Sequence, residues 1–60
     1  MRIVDENPCA DGKYIRTYFG NSSESKPTSH LADGSVFVEV DTGKVYLFNE
    51  TTSAWVEQGA

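Results

Sequence analysis

The stretch VFVEVDTGKVYLF, residues 36–48, decides the fold of this chain. Two runs of β-branched and aromatic residues flank the polar segment Asp41-Thr42-Gly43-Lys44, and this pattern predicts a β-hairpin. Glycine adopts the left-handed backbone conformation that closes a bulged turn without a steric penalty, which places Gly43 at that position. We therefore predict that Asp41, Thr42 and Gly43 define the turn.

The pairing register of this hairpin has two alternatives. A three-residue loop of Asp41, Thr42 and Gly43 gives one face that carries Val36, Val38, Val40, Tyr46 and Phe48, and a second that carries Phe37, Glu39, Val45 and Leu47. A two-residue loop of Thr42 and Gly43 moves Tyr46 and Phe48 to the face opposite the valines, because side chains alternate along a strand. Both registers leave apolar side chains on both faces, so the hairpin needs cover on two sides.

The rest of the chain indicates an all-β fold. Strand-forming residues bounded by turn residues predict strands at 2–5, 13–19 and 54–57, a loop at 6–12 and a turn at 49–53. No segment has the apolar spacing of an amphipathic helix. We expect one domain over residues 1–60, with N-terminal strands and a long polar surface loop in 1–34 and a β-meander in 35–58. The predicted fold class is a small antiparallel meander of three to five strands, completed by oligomerisation.

Chain length limits how stable such a domain is alone. A chain of 60 residues has a core that supplies at most about 3–5 kcal/mol, so such domains usually need a disulfide, a metal or an oligomer. Cys9 is the only cysteine and His30 the only histidine, which excludes an internal disulfide and a four-ligand zinc site. Assembly with copies of itself, or docking on a larger protein, remains. We expect the N-terminal strands to cover one face of the hairpin and a neighbouring chain to cover the other.

The charge distribution argues against nucleic-acid binding. The net charge is −4, and the five basic residues are scattered instead of forming the cluster that phosphate contacts require. No apolar run approaches the length of about 20 residues that spans a membrane, and the N-terminus lacks the apolar core of a signal peptide. We expect neither nucleic acid nor membrane among the partners, and no secretion through a signal peptide.

No combination of residues predicts catalysis. His30 lies in TSHLADG without a nucleophile pattern around it, and Cys9 in NPCADG is typical of a small, partly buried apolar side chain. Asp5, Glu6 and Asp11 do not match a calcium-binding loop. We therefore predict that the chain is not an enzyme and has no catalytic residue, no metal site and no cofactor.

Aromatic residues are the candidates for contact with another chain. Tyrosine and tryptophan are enriched in protein interfaces, and seven aromatic side chains are many for so small a core. We predict that another chain covers at least two of them. The candidate interface residues are Tyr14, Tyr18, Phe37, Tyr46, Phe48 and Trp55.

Residues 34–58, GSVFVEVDTGKVYLFNETTSAWVEQ, resemble a pattern that recurs in structural proteins of tailed bacteriophages. The shared elements are Gly34, Phe37 in a strand, Asp-Thr-Gly-Lys, Tyr46 in a strand, a polar turn and Trp-Val at 55–56. The preceding YIRTYFGNSSESKPTS also resembles small proteins encoded among phage capsid and tail genes of Gram-positive hosts. The resemblance implies a virion component or virion-associated adaptor that acts by binding. It would assemble with itself or with a larger phage or host protein, in the virion or the host-cell cytoplasm.

Two other functions also fit the sequence. A small phage-encoded inhibitor of a host defence system, of the anti-CRISPR type, would use exposed aromatics and the carboxylates of Glu24, Asp33, Glu39 and Glu50 to block a basic site. A carbohydrate-binding module would use Trp55 and a tyrosine as stacking platforms. Detection of the protein in purified phage particles would favour the virion component, and its absence from them would favour the inhibitor.

Overall fold

Five strands, in the same order in the sheet as in the chain, build the fold. The computed structural model describes residues 1–58. The strands are β1 (Arg2–Pro8), β2 (Tyr14–Gly20), β3 (Val36–Glu39), β4 (Val45–Asn49) and β5 (Ala54–Gln58), and a short 3-10 turn, Ala10–Gly12, joins β1 to β2. The prediction of an all-β fold is confirmed.

The sheet is mixed, where a wholly antiparallel meander was expected. Strands β2 and β3 run parallel, with Thr17 opposite Val36 and Phe19 opposite Val38. The other neighbouring pairs are antiparallel. To form a parallel neighbour, the chain must return from the end of the first strand to the side of the sheet where that strand began. This return takes a dozen or more residues. Residues 21–35 make that return, and we call them the crossover segment.

The crossover segment is part of the core and not only a surface loop. Leu31 and Ala32 in it are buried, and it runs alongside β2, since the Ala32 N–H donates to the Tyr14 carbonyl oxygen at 2.9 Å. Nearer the start of the crossover segment, the Pro27 carbonyl oxygen accepts a 2.8 Å hydrogen bond from the Trp55 indole nitrogen. The segment therefore covers the face that we expected the N-terminal strands to cover. Those strands instead widen the sheet sideways.

The first strand is longer than the predicted residues 2–5. It continues to Pro8, and a register shift between Ile3 and Asp5 leaves Val4 as the extra residue of a β-bulge. Proline and the bulge are both tolerated here because β1 is an edge strand, with one side free of pairing. Residues 6–8 were predicted to form a loop because they contain asparagine and proline, which are typical of turns.

The hairpin between β3 and β4 has a register that matches neither predicted alternative. Phe37 pairs with Tyr46 and Val38 with Val45, and the Gly43 N–H donates to the Glu39 carbonyl oxygen at 2.7 Å, which closes a loop of residues 40–43. Val40 leaves the hairpin because its N–H donates to the Gly20 carbonyl oxygen of β2, at 2.8 Å. The left-handed conformation predicted for Gly43 is confirmed by its φ of 78°.

Candidate interaction surface

One face of the sheet, which we call the covered face, carries an aromatic cluster under the crossover segment. Tyr18, Phe37 and Phe48 are buried there, and Trp55 packs against them. The ring centres of Phe48 and Trp55 are 5.0 Å apart in an edge-to-face arrangement, a geometry that aromatic pairs favour. This cluster, together with Leu31, forms the hydrophobic core.

An ion pair fixes the crossover segment to the covered face. The Lys26 ammonium lies 2.7 Å from the Glu39 carboxylate, and Glu39 is only 3% exposed. The Thr42 hydroxyl donates a second hydrogen bond to that carboxylate, at 2.7 Å. The pKa of Glu39 is lowered by the hydrogen bond from Lys26 and then by that from Thr42. The ammonium also lies 4.4 Å from the centre of the Tyr46 ring, a cation–π contact.

The opposite face of the sheet, which we call the open face, has no layer above it in the described part of the chain. Pairing places two apolar rows on it, Thr17–Val36–Leu47–Val56 and Phe19–Val38–Val45, which run from β2 towards β5. By alternation, Ile15 and Val40 extend the same face. None of these apolar side chains is buried, and Leu47, Val56 and Val40 are 40%, 47% and 62% exposed. A contiguous apolar patch of this kind usually marks a contact surface.

The charged groups lie away from the centre of the open face. On this face, Arg2 and Asp5 occupy β1 at one margin, and Asn49 and Gln58 supply polar groups on the other side. Asp33 borders the face as well, in a shallow depression that it shares with Leu47 and Val56. Four carboxylates form ion pairs elsewhere: Glu6 with Arg16, Glu24 with the N-terminal ammonium, Glu39 with Lys26, and Glu50 with Lys13. The middle of the open face is therefore apolar and uncharged.

The aromatic residues proposed from the sequence as interface candidates all lie on the covered face. Tyr18, Phe37 and Phe48 are buried by the chain itself, while Tyr46 and Trp55 pack against that core. Tyr14 is half-buried, and the Arg16 guanidinium carbon lies 4.4 Å from its ring centre. The structure thus places five of the six in or against its own core, and the open face carries aliphatic side chains together with Phe19. In the sequence, Ile15, Thr17 and Phe19 alternate with the tyrosines of β2, and this alternation was the indication that β2 has a second, mostly apolar face.

Residues with reactive or metal-binding side chains are not grouped in the described part of the chain. Within residues 1–58, no cluster of three or more histidine, cysteine or acidic side chains is arranged to hold a metal ion. Cys9 is half-buried with a free thiol, and His30 is exposed in the crossover segment. No helix in the described residues is long and apolar enough to cross a membrane. Among residues 1–58, the open face is therefore the feature that suggests a function.

Comparison of the chain with protein-family models, with curated proteins and with solved structures found no match.

Proposed function

We propose that this chain is a non-enzymatic assembly module that binds another protein through its open face. The observation that carries the proposal is the apolar centre of that face, where Leu47 and Val56 are paired neighbours and both remain largely exposed. Full burial of one such side chain contributes about 1.5–3 kcal/mol. Covering several of them therefore gives a driving force for association that a monomer of this size leaves unused.

We further propose that the assembly is the particle of a tailed bacteriophage. The support is the resemblance of residues 34–58 to structural proteins of such phages. Virion proteins repeat around symmetry axes, so a minimal β-sheet with one uncovered face has many identical neighbours on which to complete its core. The function in this setting is adhesion or adaptation between virion subunits, without a chemical step.

The contacts of the carboxylates favour assembly over inhibition of a host enzyme. An inhibitor of a basic site needs free acidic groups, yet Glu24, Glu39 and Glu50 are each engaged in an ion pair within the chain. The Asp33 carboxylate accepts a hydrogen bond from the Glu50 backbone N–H at 2.6 Å. These groups would have to give up internal partners before they could bind a basic surface.

The position of Trp55 likewise argues against a carbohydrate-binding module. A stacking platform needs an exposed ring face, whereas Trp55 is half-buried between Phe48 and the crossover segment. Its indole nitrogen already donates to the Pro27 carbonyl oxygen.

Quantitative mass spectrometry of purified phage particles tests the proposal. The gene is deleted from a phage that encodes this chain. The wild-type protein, Leu47→Lys or Ile3→Lys is then supplied in its place. Ile3 is the matched control because it is 47% exposed, against 40% for Leu47, and lies outside the open face. We expect the wild type and Ile3→Lys in the particles and the loss of Leu47→Lys. Absence of the wild-type protein from particles contradicts the virion proposal.

A further inference from the structure

We infer that the open face is the contact surface of a homodimer, in which two copies of this chain stack face to face as a two-layer β-sandwich. The inference rests on the proposed function, and it names a second copy of the chain as the partner. Stacked sheets pack about 10 Å apart with their strands within about 30° of each other. In this dimer Val36, Val38, Val45 and Leu47 lie at the centre, because they belong to the inner strands β3 and β4.

Electrostatics permits this contact in spite of the net charge of −4. Two acidic chains repel each other most where carboxylates meet, but the rows between β2 and β5 on the open face contain no charged side chain. Glu39 and Glu57 project from the opposite face, since Glu57 pairs with Tyr46 of the covered face. Asp33 borders the patch beside Leu47 and Val56, so a face-to-face dimer places carboxylates at its rim and none between the valines of β3 and β4.

The margin of the open face adds charge complementarity between copies. Arg2 and Asp5, both on β1, present one positive and one negative side chain on this face. A two-fold axis perpendicular to the strands stacks β1 of one copy on β1 of the other, which brings Arg2 of each copy towards Asp5 of its partner. An apolar centre with a polar rim is the usual anatomy of a protein interface.

The size of the face agrees with a dimer of moderate affinity. Strands lie about 4.8 Å apart and residues advance about 3.3 Å, so four strands of five residues span about 19 Å by 16 Å. Because the side chains project from that plane, two copies bury on the order of 1,000 Å² in total, at the lower bound for a specific interface. We expect a dissociation constant in the micromolar range, which corresponds to a binding free energy of about −8 kcal/mol.

Edge-to-edge pairing of the sheets is the competing geometry, and of the two edge strands, β1 and β5, β1 is poorly suited to it. Its bulge at Val4 interrupts a regular ladder, and Pro8 has no N–H to donate. The apolar side chains of β1, Ile3 and Val4, are about half exposed. A lysine at Ile3 therefore probes this edge, whereas a lysine at Leu47 probes the open face.

Sedimentation velocity over a concentration series tests the dimer. We expect the wild type to change with concentration from a 6.6 kDa monomer towards twice that mass. Leu47→Lys should stay monomeric, while Ile3→Lys, with the same added charge, should dimerise as the wild type does. Val56→Lys is a second variant, and it lies on edge strand β5, where an added charge disturbs the fold least. A cooperative thermal transition confirms that each variant is folded.

Several results overturn the inference. These are a wild type that stays monomeric throughout the series, a Leu47→Lys variant that still dimerises, loss of the dimer in Ile3→Lys, or growth beyond two copies. A monomeric wild type that enters phage particles, while Leu47→Lys does not, means that the open face binds a different virion protein; the proposed function then stands. A dimer that is absent from particles supports the inference and removes the virion proposal. If both lysine variants fail to fold, a wild type that stays monomeric or grows beyond two copies still overturns the inference.

Discussion

The Lys26 ammonium lies 2.7 Å from the Glu39 carboxylate, and this pair connects the crossover segment to the end of β3. The pair joins residues that are far apart in sequence and sits above the rings of Phe37 and Tyr46. Removal of one partner of a shielded pair leaves the other charge without compensation, which costs more than the pair itself contributes. The contact therefore holds the one layer that covers the sheet.

Replacement of Lys26 by methionine should loosen that layer. We expect Lys26→Met to lower the melting temperature by at least about 5 °C, because it leaves the Glu39 carboxylate without its cation. Lys44→Met is the matched control, since Lys44 is exposed directly after the hairpin loop and forms no ion pair among the described residues. Thermal unfolding followed by circular dichroism makes the comparison. Equal melting temperatures for both variants would show that the pair is not structurally important.

Acid should destabilise the fold through the same carboxylate. The hydrogen bond from Lys26 lowers the pKa of Glu39 below its ordinary value of 4.5. A lowered pKa means that stability is fully present above the ordinary value and is lost as the pH falls through the value in the folded chain. The pKa values of Glu24, Asp41 and Glu50 are lowered as well, by the N-terminal ammonium, Ser22 and Lys13 respectively.

A pH series of melting temperatures for the wild type and Glu39→Gln tests this assignment. We expect the two proteins to differ most near neutral pH, where Glu39 is ionised, and the difference to shrink below pH 4.5 as the wild-type carboxylate is protonated. A difference that stays constant down to the acid limit would mean that the charge of Glu39 contributes nothing.

Gly20 is required by a close approach and not by its backbone angle. A Cβ atom at this position would lie 2.8 Å from Cζ of Phe37, whose ring is fully buried. Gly20→Ala should therefore destabilise the fold by about 1–3 kcal/mol, the usual cost of overpacking a core. In chemical denaturation, the double variant Gly20→Ala/Phe37→Leu should lose less stability than the sum of the single variants, because leucine withdraws the clashing atom. Strict additivity would contradict the steric explanation.

Gly43 is required by its backbone angle and not by space. It has φ of 78°, and nothing lies within 4 Å of a Cβ added there. Gly43→Val should destabilise the fold by more than about 1 kcal/mol, since β-branched residues are poorly tolerated at positive φ. Gly43→Asn is the control, because asparagine adopts this conformation more readily. If both variants melt at the wild-type temperature, the turn tolerates other conformations.

Local chemistry in the sequence predicted the strands and the turn. The β-formers around Tyr14–Gly20 and Ala54–Gln58 and the glycine at position 43 each act through their own or adjacent residues. The parallel pairing of β2 with β3 requires instead the crossover segment, a polar stretch in which Leu31 and Ala32 are buried by contacts made elsewhere in the chain. No periodic pattern marks such residues.

The hairpin register also could not be predicted from the residues of the hairpin alone. In the observed register the Val40 N–H donates to the carbonyl oxygen of Gly20, which lies on another strand. Because the register decides which face each side chain occupies, the sequence predicted two apolar faces without showing which one would remain uncovered. The aromatics were natural interface candidates, but the crossover segment covers their face and leaves the valines of β3 on the open one.

Intermolecular nuclear Overhauser effects in a mixed sample of isotope-labelled and unlabelled protein test the central claim most directly. The methyl groups of Val36, Leu47 and Val56 should show contacts to a second copy of the chain, while those of Leu31, in the core, should show contacts only within their own copy. Absence of intermolecular contacts at concentrations well above the micromolar range, or contacts confined to Ile3 and Val4, would contradict a homodimer formed through the open face.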